Sequence, residues 1–346
     1  MFKKIIISIV LIGLLLCAYF GYDMYKRVYQ PNVTLEHAQE DYFYIYSTYE
    51  FPDVVNDLYE KGYIINRESF EWVAEKKSNF KNNIKPGRYK LKDGMSNNEL
   101  VDLLRSGEQE PVKVTFNNVR TKEQLARKIT KQLECDSLEV LDLLNDAQFA
   151  AKYGFNTTTI LTLFLPNSYE FYWNTSAEQA IQRMADEYKK YWTEERKAKA
   201  KKLNLSQSEV AILASIVQAE QSVHGDERPK VAGLYINRLR KGMLLQSDPT
   251  IVYGLGDFTI RRVLNKHKEV NTPYNTYIHP GLPPGPINLP SIKSLDAVLN
   301  YEDHDYIYMC AKEDFSGYHN FAKTYDQHRV YARKYQNELN KRKIYN

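Results

Sequence analysis

Residues 5–22, IIISIVLIGLLLCAYFGY, carry no charge and follow directly on Lys3 and Lys4. A chain in hydrocarbon must satisfy its own backbone polar groups, so helix is the form open to such a run. These 18 residues would rise roughly 27 Å as a helix, close to the ~30 Å apolar core of a bilayer. Tyr19, Phe20 and Tyr22 suit an interfacial belt, and the two lysines ahead of the run favour a cytoplasmic N-terminus. Ala18-Tyr19-Phe20 is a poor small-residue cleavage site, and bulky Leu16 before Cys17 argues against lipid modification. The expectation is an uncleaved single-pass transmembrane anchor over residues 1–22, with the remainder outside the cytoplasm.

The charge of the remainder excludes one large class of partner. The chain holds 47 basic and 43 acidic residues, for a net charge of +4. Residues 1–27 account for +3 of it, which leaves a nearly neutral body. A nucleic-acid binder needs a concentrated basic face, and no basic stripe occurs. Cys17, Cys135 and Cys310 have no metal-ligand spacing, and a Cys135–Cys310 disulfide is the one pairing they allow.

Beyond the anchor the pattern predicts an α+β chain. Residues 23–40 read as a polar stem and 41–108 as a small α/β unit. In that unit, strands at 43–47 and 88–91 enclose helices at 51–62 and 69–77. Ser96, Glu99 and Gly107 mark the start and stop of another helix. A mixed α/β domain covers 109–346, with strands at 112–116 and 306–311 and helices at 121–133, 177–192, 206–221, 230–242 and from about 326.

Chemistry concentrates in residues 206–302. In the helix SQSEVAILASIVQAEQ, Ser206 and Glu209 form a capping box and Val210, Leu213, Ala214 and Val217 make a buried stripe. Glu220 falls at the end of that stripe rather than on the solvated side. Burial raises a carboxyl pKa, which is what a general acid needs near neutral pH. A helix-end Glu paired with His224, Arg228 or Lys230 is the structural alternative. In the next helix Val231, Leu234, Tyr235 and Leu239 form the core face, Gly233 admits a close backbone, and Asn237 and Arg238 default to solvent. Gln246, Ser247 and Asp248 precede Pro249, which forces Asp248 out of helical conformation. They either point into a cleft or cap the helix that follows. The segment 271–291 holds six of the 13 prolines, and its stiffness suits a groove wall.

The runs ASIVQAEQ (214–221), VAGLYINRLRKGMLLQSDPTIVYGLG (231–256) and PYNTYIHPGLPPGPI (273–287) together resemble the YceG-like endolytic murein transglycosylases. LPNSYEF (165–171) and YHNFA (318–322) are similar to further segments of that family. The resemblance implies a LysM-like subdomain over 41–108 and a catalytic domain over 109–346. It also implies a bacterial cytoplasmic-membrane location with the catalytic domain on the extracytoplasmic side. By position, Glu220 would be the catalytic acid/base, and Gln246, Asp248, Thr250, Asn275 and Tyr277 would line the glycan groove. The family often has Glu at 218 and usually Asp at 167, where this chain has Gln218 and Asn167.

The implied reaction is non-hydrolytic cleavage of the bond between N-acetylmuramic acid and N-acetylglucosamine in peptidoglycan, leaving 1,6-anhydro ends. A glycosidase normally needs two carboxylates. An intramolecular 6-hydroxyl nucleophile removes that need, so one Glu suffices and neither metal nor cofactor is called for. Two rival readings stand beside it. One is a peptidoglycan hydrolase that uses Glu220 with Asp248. The other is a non-catalytic wall-binding scaffold for peptidoglycan synthases or division and elongation proteins.

Overall fold

The chain is described by a computed structural model covering residues 2–36, 38–77 and 80–342. Its first helix, α1 (Phe2–Tyr29), contains no buried residue. An 18-residue window within it has a mean hydropathy of 2.5, which is compatible with a single-pass anchor. The helix continues past residue 22 because nothing breaks it: Arg27 and Asp23 form an i, i+4 ion pair at 2.8 Å. Pro31, which lacks an N–H, follows its last turn.

Two compact units make up the chain. The first comprises residues 1–113, 132–135 and 170–176. It contains β1 (Tyr42–Ile45), α2 (Phe51–Glu60), α3 (Arg67–Lys76), β2 (Gly87–Lys90) and α4 (Asn97–Ser106). The two strands pair antiparallel, Tyr42 opposite Lys90 and Ile45 opposite Gly87. Alternation sends Phe43 and Ile45 into a core shared with Leu58, Phe70, Tyr89 and Leu100. Ser96 and Glu99 form the capping box at the start of α4, and Gly107 ends it in the left-handed region at φ 75°. The segment read as a stem divides. Residues 23–29 belong to α1. Beyond them Val33 enters the core and Asn32 donates to Asn97 at 2.7 Å.

The second unit comprises residues 114–131, 136–169 and 177–346. From residue 112 on, the chain forms β3 (Val112–Phe116), α5 (Lys122–Thr130), α6 (Ser137–Asn145), α7 (Ala147–Lys152) and β4 (Asn167–Phe171), the first two residues of β3 and the last two of β4 counting with the first unit. Then come α8 (Ala177–Tyr191), α9 (Glu194–Lys202), α10 (Gln207–Glu220), α11 (Arg228–Arg240), α12 (Asp248–Leu255), α13 (Asn265–Lys268) and α14 (Ile292–Leu299). The hairpin β5 (Tyr308–Ala311) and β6 (His319–Ala322) precedes the last helix, α15 (Tyr325–Lys341). β3 pairs with β4 and β5 with β6, so the architecture is α+β with only two-stranded sheets among the described residues.

The helix expected to bury one stripe is buried on every side. Val210 through Val217 are all buried, because α11, α12 and α14 all pack against α10. Such a helix is a core helix rather than a surface one. The close approach at Gly233 is real: a Cβ there would stand 2.3 Å from the carbonyl oxygen of Glu302. Cys135 and Cys310 are not joined by a disulfide in this structure.

Candidate active site

Glu220 is the last residue of α10, and its half-buried side chain lines a cavity of about 280 Å³. Tyr235, Arg238, Gln246, Asp248 and Tyr277 share that lining. The Glu220 carboxylate accepts two hydrogen bonds, both on Oε1: from the Tyr235 hydroxyl at 3.0 Å and the Ser247 hydroxyl at 2.5 Å. Among the described residues Oε2 has no hydrogen-bond partner. With both donors on Oε1, Oε2 is the oxygen where a proton sits whenever this carboxyl is neutral.

Burial pushes the Glu220 carboxyl above its ordinary value. The two hydroxyl donors pull the other way, and the nearby Asp248 charge adds to the rise. The negative end of the α10 dipole also disfavours a carboxylate at this position. Burial, and then the Glu220 charge, pushes the Tyr235 phenol far up, so it stays a protonated donor. His224, Arg228 and Lys230 do not pair with Glu220. Arg228 donates to the carbonyl of Gln221 at 2.9 Å and to Ser294 at 3.1 Å. His224 bonds Ser316, and Lys230 faces Glu302.

The turn before α12 resolves the two roles open to Ser247 and Asp248. Ser247 occupies the N-cap position of α12, yet its hydroxyl makes no cap bond and turns to Glu220 instead. Asp248 accepts from the Tyr277 hydroxyl at 2.7 Å. Burial and that carboxylate raise the Tyr277 phenol, which keeps it a donor. Gln246 sits at φ 54°, a left-handed conformation that costs a side-chain-bearing residue roughly 1–2 kcal/mol. The conformation is held from two sides. Its N–H donates to Thr276 O at 3.0 Å, and its Oε1 accepts from Arg238 at 2.6 Å.

Thr250 and Asn275 lie behind the wall, each with no exposed surface. Thr250 donates to Ser247 O at 2.7 Å. Asn275 donates to Lys268 O at 2.9 Å and Val270 O at 2.8 Å, and accepts from Tyr277 N at 3.0 Å. They thus hold Ser247 and Tyr277 in place. Gln218 lies in the last turn of α10, two residues before Glu220, and accepts from Ser291 N and Ser294 Oγ, both at 2.8 Å. This ties the proline-rich segment to α10. Asn167 is exposed and accepts from its neighbour Ser168 at 2.8 Å.

Three contributors escaped the sequence reading. Tyr235 looked like an ordinary core aromatic, because periodicity does not reveal where a phenolic oxygen ends. Arg238 looked solvated but is buried, bonding Leu244 O, Ile307 O and Gln246. The third is Glu227, which takes His319 Nδ1 at 2.7 Å and His319 N at 2.9 Å and so moors the YHNFA strand beside the end of α10.

A second, larger space adjoins the first. A groove of about 1350 Å³ is bounded by Gln218, Asn288 and Arg262, and Asp248 lines both it and the Glu220 cavity.

Comparison with known proteins places the chain. A similar curated protein is an endolytic murein transglycosylase of Bacillus subtilis, 29% identical over 305 residues, which cover 84% of this chain and 83% of that one. One of Streptococcus pneumoniae is 27% identical over 263 residues. These cover 66% of this chain but 46% of the pneumococcal protein, so the match spans less than half of that longer chain. A crystal structure of a YceG-like protein from Listeria monocytogenes superposes with a TM-score of 0.56 at 28% identity, covering 84% of this chain and 97% of the other. The model of the YceG-like family matches residues 43–334, and this chain therefore belongs to the YceG-like family.

Proposed function

We propose that the protein is a membrane-anchored lytic transglycosylase that cuts the bond between N-acetylmuramic acid and N-acetylglucosamine in peptidoglycan strands, with Glu220 as acid and then base. One observation carries the reading. Glu220 is a half-buried carboxyl with a raised pKa whose two hydrogen bonds both fall on Oε1, leaving Oε2 for substrate. The names of the Bacillus and pneumococcal relatives support the same activity.

In this mechanism the Oε2 proton passes to the glycosidic oxygen as the bond from that oxygen to the muramyl C1 breaks. The Tyr235 and Ser247 hydroxyls then hold the carboxylate that forms. The muramyl 6-hydroxyl oxygen bonds to C1 and its proton passes to Glu220, which restores the acid. No water is consumed, and the products are a free N-acetylglucosamine hydroxyl and a 1,6-anhydromuramyl end. General acid–base catalysis of this kind contributes about 10²–10⁴-fold. Gln246, Asp248 and Tyr277 would position the sugars, with Thr250 and Asn275 behind them. The antiparallel β-α-α-β arrangement of residues 42–90 supports the LysM-like, glycan-binding reading of 41–108. The helix α1 would place the catalytic domain on the outer face of the cytoplasmic membrane, near the synthases that supply new strands.

Mass spectrometry of strands digested by the full chain in detergent tests the reading. Anhydromuramyl ends are expected. Reducing ends that incorporate labelled water would point instead to a hydrolase pairing Glu220 with Asp248, and binding without any product to a scaffold.

A further inference from the structure

The groove that meets the Glu220 cavity at Asp248 has an unbalanced charge. Three arginines line it, Arg120, Arg261 and Arg262, against Asp248 as its single carboxylate. Arg120 comes from the loop after β3, and the other two from the loop between α12 and α13, so sequence alone does not bring them together. All three are exposed. Among the described residues none of their guanidinium groups has an ion-pair or hydrogen-bond partner. Arg120 is nevertheless held in place, its guanidinium lying 4.8 Å from the centre of the Phe258 ring. Stacking on a ring face leaves the edge of the guanidinium, with its forked N–H donors, free for a planar anion.

An open groove of about 1350 Å³ is large enough for several sugar or amino-acid units. A glycan backbone of N-acetylated sugars is itself uncharged, so it gives three free arginines nothing to pair with. The anions of a peptidoglycan strand sit on its side branches: each muramyl lactyl group carries a short peptide with free carboxylates. Guanidinium is well matched to carboxylate, because it can donate two parallel hydrogen bonds.

We infer that Arg120, Arg261 and Arg262 form a subsite for the stem-peptide carboxylates of the strand being cut. The subsite makes the enzyme prefer peptide-bearing over peptide-free glycan. This inference rests on the proposed transglycosylase reading. It adds a substrate feature, the acidic side branch, that Glu220 chemistry does not require. Asp248 lines both the groove and the Glu220 cavity, so the subsite and the acid share a wall. Exposed charges are screened by salt, so the preference is greatest at low ionic strength.

The experiment compares kcat/KM on two purified strand preparations, both free of other wall polymers. One retains its stem peptides, and the other has been stripped by an amidase. The full chain is assayed in detergent as wild type, as Arg261→Gln/Arg262→Gln, and as Arg261→Lys/Arg262→Lys. The wild type is expected to favour peptide-bearing strands at least fivefold. The glutamine variant should lose most of that ratio, and the lysine variant should keep part of it, which separates charge from folding. Adding Arg120→Gln should remove the remainder. An equal ratio in all variants, with anhydromuramyl ends still formed, overturns the subsite and leaves the activity standing. If the arginine effect appears only on strands carrying phosphodiester-linked polymers, the anion is phosphate and the peptide assignment is wrong. If the wild type releases no anhydromuramyl ends from either preparation, the transglycosylase reading falls and the subsite falls with it.

Discussion

Ser247 gives its hydroxyl to Glu220 at 2.5 Å instead of capping the helix it precedes. An N-cap serine typically stabilises a helix by about 1 kcal/mol, so the redirected bond has a cost. It fixes Oε1 of a carboxyl that lines the cavity. Ser247→Ala should lower kcat about tenfold, near the value of one hydrogen bond to a charged group. Both hydroxyl bonds hold the Glu220 pKa down. Removing either, by Ser247→Ala or Tyr235→Phe, should therefore move the alkaline limb of the pH–rate profile to higher pH. A limb that moves down would contradict the assignment of Glu220 as the acid.

Glu220→Gln should abolish product formation, with a loss of at least about 10²-fold, the lower end for a general acid. The fold should survive, because an amide oxygen can still accept from Tyr235 and Ser247. Anhydromuramyl ends are counted by mass spectrometry and strand retention is measured by pulldown. Wild-type rates from Glu220→Gln would move the chemistry elsewhere.

The same substitution has a stability signature. The Glu220 carboxyl holds its proton more tightly in the folded chain than in the unfolded one, where its pKa is about 4.3. The stability this contributes is fully present below the unfolded value. It is lost as pH rises through the higher folded value. Glutamine does not titrate, so the Tm of Glu220→Gln minus that of wild type should grow from pH 4 to pH 8. A difference of about 1 kcal/mol corresponds to roughly 2–4 °C in a domain of this size. Parallel curves in differential scanning calorimetry would remove the raised pKa from the argument.

Asn275→Ala should act through stability. It leaves the carbonyls of Lys268 and Val270 and the N–H of Tyr277 without a fully buried partner. The expected cost is about 2–3 kcal/mol, or roughly 5–10 °C in Tm. A folded Asn275→Ala protein with an unchanged Tm and a raised KM would instead put this side chain in contact with glycan.

Gly233→Ala should also destabilise, by about 1–3 kcal/mol, despite alanine's better helix propensity. Its Cβ meets the backbone oxygen of Glu302 at 2.3 Å, and backbone cannot rotate away. Chemical denaturation measures the loss, and a stabilised variant would show that the loop after α14 yields.

Local rules made much of this fold legible. The capping boxes at Ser206 and Ser96 and the positive-φ stop at Gly107 lie where residue chemistry and helix periodicity put them. Glu220 was visible as an acid out of place on an apolar stripe. Its hydroxyl partners were not, because they arrive from α11 and from the turn before α12. Thr250 and Asn275 lie in the runs that carry the resemblance to the family, yet position in such a run does not tell a lining side chain from a bracing one. Burial makes that distinction, and it depends on tertiary packing. The stem was misread for a related reason. Residues 31–35 have the composition of a linker, but Asn32 and Val33 find specific partners only once Asn97 and the first unit's core exist.

Asp248 lines both the acid's cavity and the arginine groove. Any change of side chain at that position alters both spaces together, so under the proposed function it would touch grip and turnover at once. Diversification toward strands of other chemistry is easier at the arginine rim, where substitutions leave the acid's surroundings intact. Asp248 is then the joint at which neither space can be reshaped without the other.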